Sequence, residues 1–329
     1  FKTNATTWFF GSTSAANAPN VVVDPSITVS QNTGQAAGNL FYNNLSGSGT
    51  ISLAGSGATH SILGESSVSN LNATSNIALV VGQGSASGSI TSGNITANNG
   101  ITLNSTSSYI FSGALAGTNL TKQNTNTVTL TGANTYSGTT TISGGTLQIG
   151  NNGTTGSIGS GSIVNNGTLS INRSDNMTLA NAISGTGIVN KLNNTTATFT
   201  ANNTYTGATN ITGTMVLQNN APTSSSSKYQ GAGRLQIEPS STSFTSGFST
   251  SGWNFDSTLR GLTLGKLGNL VPITFINNTT ISGPITAYGG TVNLNGNITL
   301  KSIALNSPIQ LFSTNDIDFN GTVNLTTNN

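Results

Sequence analysis

Short runs in which apolar residues fall at every second position mark the chain, as in Thr127-Val128-Thr129-Leu130, Thr140-Thr141-Ile142 and Thr146-Leu147-Gln148-Ile149. That is the period of a β-strand with one face buried and the other in water. Gly, Asn or Asn-Gly follows after four to seven residues, at positions where the chain must turn. The runs also recur. Gly144-Gly145-Thr146-Leu147-Gln148-Ile149 is echoed by Asn166-Gly167-Thr168-Leu169-Ser170-Ile171, and Gly145 to Gly167 is 22 positions. Gly100 to Gly145 is 45 positions, which carries the same beat back by two steps.

A longer period overlies this one. Lys122 recurs as Lys191, Asn134-Thr135-Tyr136 as Asn203-Thr204-Tyr205, Gly138 as Gly207, Ile142 as Ile211 and Gly144 as Gly213, each 69 positions apart. Three beats make one long period. Periodicity of this kind predicts a solenoid, in which each coil buries its apolar face only by stacking on the next. Strands this short, with no helical segment between them, predict an all-β fold, a right-handed parallel β-helix (β-solenoid). At about 22 residues per coil it would have roughly 15 coils, a rod of about 70 Å. An antiparallel sandwich or barrel is the competing architecture, though neither needs a repeat of this length. In the β-helix, Leu130, Ile142, Leu147, Ile149, Phe199, Ile211 and Val216 are expected to point into one core, and Tyr136 and Tyr205 to sit at matching corners.

Four segments follow along the chain. Residues 1–50 are rich in aromatics, with Phe1, Trp8, Phe9, Phe10, Phe41 and Tyr42, and are expected to be N-terminal coils or a cap. Residues 51–218 carry the coils with the long repeat. Residues 219–258 break the beat with Ser, Pro and aromatic residues and read as an irregular insertion projecting from one face. Residues 259–329 resume the coils.

Composition narrows the function. Charged residues are 5% of the 329 and cysteine is absent, so a disulfide framework and thiolate metal sites are excluded. A net charge of +2 gives no basic run of the kind nucleic-acid binding needs. The chain starts at Phe1 without an apolar leader, so any export signal is expected outside this stretch. Asp24, Glu65, Asp175, Glu238, Asp256, Asp316 and Asp318 are the acidic residues and His60 the lone histidine. Only Asp316 and Asp318 are close in sequence, on one face of a strand, where they would act as acid and base, hold Ca²⁺, or simply be solvated. No triad order, phosphate loop or zinc signature occurs, so no catalytic, cofactor-binding or metal residue is assigned and no cofactor is expected.

The candidate binding surface lies in the irregular stretch: Phe244, Phe248, Trp253 and Phe255, with Arg234 and Lys228. Aromatic rings among small polar residues would stack on sugars; the alternative is that they fold back as a satellite core.

Thr127 to Gly150 resembles the passenger-associated β-strand repeat of autotransporter proteins, and Thr198 to Gly213 is similar to a second copy that departs at Thr214 and Met215. The segment Ile281 to Leu300 resembles large filamentous haemagglutinin-like adhesins. Both resemblances imply β-helices displayed on the bacterial surface. The expected function is therefore a non-enzymatic, cell-surface or secreted adhesin segment forming a rigid stalk. A structural subunit of an extracellular fibre, sheath or biofilm matrix is the alternative, and a polysaccharide-degrading enzyme a distant third. Expected partners are host or neighbouring-cell glycans or proteins, further copies of the chain, and an outer-membrane secretion partner outside this segment, with no nucleic acid. The expected location is the extracellular face of the bacterial outer membrane.

Overall fold

A computed structural model describes residues 93–224, 226–276 and 279–295 continuously and, outside these, chiefly the paired strands. The chain divides into two compact units, Phe1–Leu169 and Ser170–Asn329. Each is an all-β parallel solenoid. The expectations for Phe1, Trp8, Phe9, Phe10 and the side chain of Phe41 lie outside the described residues; Tyr42 is buried.

In the first unit, strands are paired in parallel with their counterparts one coil earlier, two or three strands back along the chain. One row runs Val21–Val23, Leu45–Gly47, Glu65–Ser66, Ser89–Ile90, and a second runs Thr28–Asn32, Thr50–Ala54, Asn70–Ala73, Asn94–Ala97, Leu115–Gly117. A third runs from Leu40–Tyr42 through Ile101–Leu103, Leu120–Lys122 and Thr140–Ile142 to Ile163–Asn165. In the second unit the longest row joins Met177–Leu179, Thr196–Phe199, Thr214–Gln218, Arg234–Glu238, Gly261–Leu264, Ile285–Gly289 and Ile309–Ser313. Inward positions of one coil sit on inward positions of the next: Val128 on Tyr109 and under Leu147, Leu130 on Phe111 and under Ile149. Burying each such side chain contributes about 1.5–3 kcal/mol.

The beat is elastic. Registered partners are 19 apart at Val128 and Leu147 but 24 apart at Leu71 and Ile95 in the first unit. In the second they run from 18 at Thr196 and Thr214 to 27 at Leu235 and Leu262. Strand pairing fixes which residues face inward, whereas turns outside the ladder absorb extra residues.

Of the expected core positions, Leu130, Ile142, Leu147, Ile149, Phe199 and Ile211 are buried and inward. Val216 needs correction. Met215 pairs with Ala197 and Leu217 with Phe199, so Val216, paired with Thr198 and Gln236, belongs to the opposite face although its neighbours cover it. The cause is one residue. Gly144-Gly145 turns the first repeat and Gly145 takes φ +62°, while the second has Gly213 alone before Thr214. Thr146 N–H donates to Asn126 O, and Thr214 N–H to the equivalent Thr195 O, one position earlier in the repeat. A one-residue slip turns every following side chain over.

The repeated residues do matching work in each unit. Asn134 Oδ1 accepts from the Leu115 N–H of the preceding coil at 2.8 Å, and Asn203 Oδ1 from Ile183 N–H at 2.9 Å, replacing strand hydrogen bonds where the chain leaves the ladder. Tyr136 and Tyr205 are buried, each with its hydroxyl 2.7 Å from Thr140 Oγ1 or Thr209 Oγ1. Gly138 and Gly207 sit against backbone of the preceding coil, where a Cβ would lie 2.7 Å from Thr118 O or 2.1 Å from Gly187 O.

Lys122 and Lys191 are inside, at 0% and 1% exposure. Lys122 Nζ donates to Gln123 O, to Asn124 O at 3.0 Å and to Asn126 Oδ1 at 2.7 Å; Lys191 Nζ donates to Leu192 O at 2.5 Å, Asn193 O at 3.0 Å and Thr195 Oγ1 at 3.0 Å. Each ammonium fills a turn made by an Asn in the left-handed region, φ 59° at Asn124 and 68° at Asn193, a conformation that Asn tolerates better than most residues. Burial draws both lysines down to about 8 from 10.5, so they are charged at neutral pH.

Ile142→Asp places an unpaired carboxylate in the core and is expected to cost on the order of 3–5 kcal/mol in urea unfolding; an unchanged midpoint would show Ile142 facing out. Lys122→Met leaves its turn carbonyls without a donor and is expected to cost about 1–3 kcal/mol at neutral pH. Because the folded lysines release protons near pH 8 and the unfolded ones near 10.5, the unfolded chain binds more protons between these values. Stability of the parent therefore rises from pH about 8 to about 10, above which tyrosines of the unfolded chain ionise. Stability measured across that range should rise less steeply in the variant.

Candidate functional site

The coil ladder continues through residues 219–258, correcting the expectation of an irregular insertion. Lys228–Gln230 pairs with Thr209–Ile211 and with Asn254–Phe255, and Arg234–Glu238 pairs with Thr214–Gln218 and Gly261–Leu264. The alternation that carries this is Arg234 out, Leu235 in, Gln236 out, Ile237 in. The stretch is irregular only in its turns, which lengthen the coil to the 27 residues between Leu235 and Leu262.

Those turns carry the aromatic group. Phe244, Phe248 and Trp253 are buried and Phe255 is half-buried. Ring centroids are 5.4 Å apart for Phe244 and Phe248, 5.6 Å for Phe248 and Trp253, 6.1 Å for Trp253 and Phe255, and 5.8 Å for Trp253 and Tyr229. Asn269 fastens the neighbouring turn, accepting from Ser243 Oγ at 2.9 Å and Phe244 N–H at 3.2 Å while donating to Tyr288 O at 2.7 Å. Three of the four rings face one another and the core, so the exposed sugar-stacking surface gives way to the satellite core. Apolar rings gain more from mutual burial than from water.

Lys228 and Arg234 are exposed, and the structure brings them beside residues that sequence spacing did not connect. Register places Asp256 one coil beyond Gln230, and Asp256 N–H donates to Tyr229 O. Lys228 Nζ then meets Asp256 Oδ2 at 2.7 Å. Asp256 Oδ1 accepts from Thr258 N–H at 2.9 Å and Thr258 Oγ1 at 2.6 Å. Arg260 N–H bonds Gly233 O at 2.9 Å, holding this exposed arginine over the next turn. The outcome is an open groove of about 690 Å³ lined by Asn210, Lys228, Gln230, Asp256, Thr258 and Arg260. A smaller one of about 290 Å³ shares Ala232 and Arg260 and adds Arg234, Thr212 and Thr214.

An amide ladder leads to this groove. Asn210 Nδ2 donates to Asn190 Oδ1 at 2.8 Å, and Gln230 Nε2 donates to Asn210 Oδ1 at 2.7 Å. Each amide orients the next. The site therefore presents aligned amides, hydroxyls and guanidinium groups, an arrangement suited to hydrogen bonding and charge pairing. Its carboxylate, Asp256, is engaged by Lys228 and Thr258. Among the described residues no group of three or more His, Cys, Asp or Glu side chains gathers to hold a metal ion. Asp316 and the side chains of Asp318 and His60 lie outside the described residues.

The passenger-associated-transport-repeat family matches residues 120–149 and 189–213, the two copies whose lysines, asparagines and tyrosines are described above. The chain carries two copies of the passenger-associated-transport repeat. Over 70 residues it is 47% identical to the adhesin BmaC autotransporter of Brucella suis biovar 1 (strain 1330); the match covers 21% of this chain and 2% of that protein. This chain thus spans only a small part of the relative's length. No solved structure matches the chain.

The cationic groove lies beyond the second passenger repeat, at the longest coil. Sequence reading found Lys228 and Arg234 but missed Arg260, and it left Asp256 without a partner. The available signal was the strand alternation in Lys228-Tyr229-Gln230 and Arg234 to Glu238, which reveals the ladder through this stretch and with it the neighbours one coil on.

The Lys228 contact, followed by the Thr258 hydrogen bonds, holds Asp256 at about 2, below its ordinary 3.8. A depressed carboxylate stabilises the fold above its unfolded value and loses that contribution as pH falls from about 3.8 toward 2. Carboxyl-carbon NMR should therefore show Asp256 titrating near pH 2, moving up toward 3.8 in Lys228→Gln. With Lys228 half in water, that substitution should cost under about 1 kcal/mol.

Proposed function

We propose that this chain is a non-enzymatic segment of a surface-displayed bacterial passenger, a right-handed β-helical stalk of roughly 15 coils that takes part in attachment to host or neighbouring cells. Its place is extracellular, at the outer-membrane surface, after export by a partner outside this segment. The two passenger repeats and the likeness to an autotransporter named as an adhesin support this reading. The groove around Lys228, Arg234, Asp256 and Arg260 is assigned the binding role.

Physical reasons favour the groove. Most of the outward surface is built of Ser, Thr and Asn recurring from coil to coil, and a ladder of like groups discriminates poorly between partners. The groove instead combines opposite charges with ordered amides at one level of the fold. It also sits on and beside paired strands, which fix the backbone positions from which its side chains extend.

The test is attachment by the purified chain, coated on beads, to epithelial monolayers and bacterial lawns. Intact protein is expected to bind, and the triple variant Lys228→Gln/Arg234→Gln/Arg260→Gln to bind about tenfold less while still unfolding cooperatively, with a midpoint lowered by at most a few degrees. If the triple variant attaches as well as the parent, the groove loses its role. If the parent attaches to neither surface and forms regular filaments by electron microscopy, the structural-fibre alternative replaces adhesion.

A further inference from the structure

We infer that the groove binds an anionic polysaccharide, with the polymer's sulfate or carboxylate groups on Arg234 and Arg260 and its hydroxyls along the Asn190-Asn210-Gln230 ladder. This rests on the assignment of attachment to the groove and names the chemistry of its ligand.

Charge comes first. Lys228, Arg234 and Arg260 line the two adjoining grooves with a single carboxylate, Asp256, which leaves a local charge of +2. That equals the formal net charge of the entire chain. The nearby carboxylate on the Arg234 strand, Glu238, accepts from Gln218 Nε2 at 2.8 Å and Gln236 Nε2 at 2.5 Å and lines neither groove. Lys228 is engaged with Asp256 at 2.7 Å, so the two arginines are the cations offered to a ligand. Guanidinium groups bind sulfate and carboxylate through paired N–H donors, which a lysine cannot match.

The remaining lining decides between anionic polymers. A protein partner would be anchored by aromatic or aliphatic side chains, and the aromatic rings of this region are turned into the satellite core. A peptide adding as a strand needs a free edge, whereas Lys228–Gln230 and Arg234–Glu238 are each paired on both sides. Single-stranded nucleic acid needs exposed rings for base stacking and a longer basic track. What lines the groove instead is amide and hydroxyl: Asn210, Gln230, Thr258 and Ser282, with Thr212 and Thr214 in the adjoining one. The turn Gly231-Ala232-Gly233 lines the two grooves with no side chain larger than a methyl group, leaving sugar hydroxyls access to the backbone beside Arg234 and Arg260. Gly231 holds φ +105°, and a Cβ there would lie 2.5 Å from Ile211 O, so this turn cannot readily enlarge.

Isothermal titration calorimetry of the purified full chain with three oligosaccharides tests this: chondroitin sulfate, polygalacturonate and neutral dextran. Binding of one or both anionic sugars is expected, weakening as salt rises, with none of dextran. Arg234→Gln and Arg260→Gln should each weaken it by about tenfold. Arg173→Gln, at an arginine paired with Asp175 away from the groove, should leave it unchanged. Binding of polygalacturonate shows that carboxylates suffice, whereas binding of chondroitin sulfate alone assigns the sulfate, because that polymer carries both groups. Equal binding of dextran, no binding of either anionic sugar, or arginine variants that bind like the parent would overturn the inference. If the triple variant loses cell attachment yet neither anionic sugar binds the parent, the groove stands and the ligand class falls; if attachment persists in the triple variant, the groove assignment itself falls.

Discussion

Parallel registration of one coil on the next is the constraint from which the rest of the structure follows. A strand of three to five residues cannot hold itself together, and it becomes stable only when its N–H and C=O groups are taken by the coils on either side. The same pairing stacks inward side chains in columns, as with Tyr109, Val128 and Leu147. A polar group entering the interior must therefore bring its own partners. Lys122 and Lys191 do so with turn carbonyls, Tyr136 and Tyr205 with a threonine four residues on, and Asn134 and Asn203 with the backbone of the preceding coil. These are the residues that the passenger repeat retains in both copies. The motif records where a polar side chain must satisfy the inside of a turn.

Ladder pairing explains what could be read from sequence and what could not. Alternation is local, so the solenoid class and the inward places of Leu130, Ile142, Ile149 and Ile211 were legible without coordinates. Register is relational. A single glycine fewer before Thr214 leaves the wording of the repeat nearly intact yet exchanges Val216 for Met215 and Leu217 at the core. Counting in steps of 69 does not detect that change, because the matched positions from Lys122 to Gly144 all precede the missing glycine. Only the pairing of Ala197 with Met215 exposes it.

Residues 219–258 were misjudged for a related reason. Ser, Pro and Thr dominate its turns, and turn composition masked the short strands Lys228–Gln230 and Arg234–Glu238 between them. The aromatics drew notice as a candidate surface because they are large and unusual here. Their size is what buries them: Trp253 contacts rings on three sides, which no exposed position offers. Arg260 went unseen since it follows Arg234 by 26 positions in sequence, and nothing short of the register makes that distance a neighbourhood.

Function in such a fold depends on departures from repetition. A coil of constant length sets like residues over like residues, giving a uniform face with broad contact and little selectivity. Lengthening one coil to 27 residues gives the chain room to return at a different phase, so that Asp256 closes on Lys228 and Arg260 lands over the turn after Gln230. The extra residues would be a liability if they stayed loose. The aromatic group and Asn269 hold them against the solenoid, fixing the turns from which the charged side chains extend. The satellite core and the cationic groove are thus two sides of one device: the rings stabilise an over-long coil, and the over-long coil places charges that a regular ladder would keep apart.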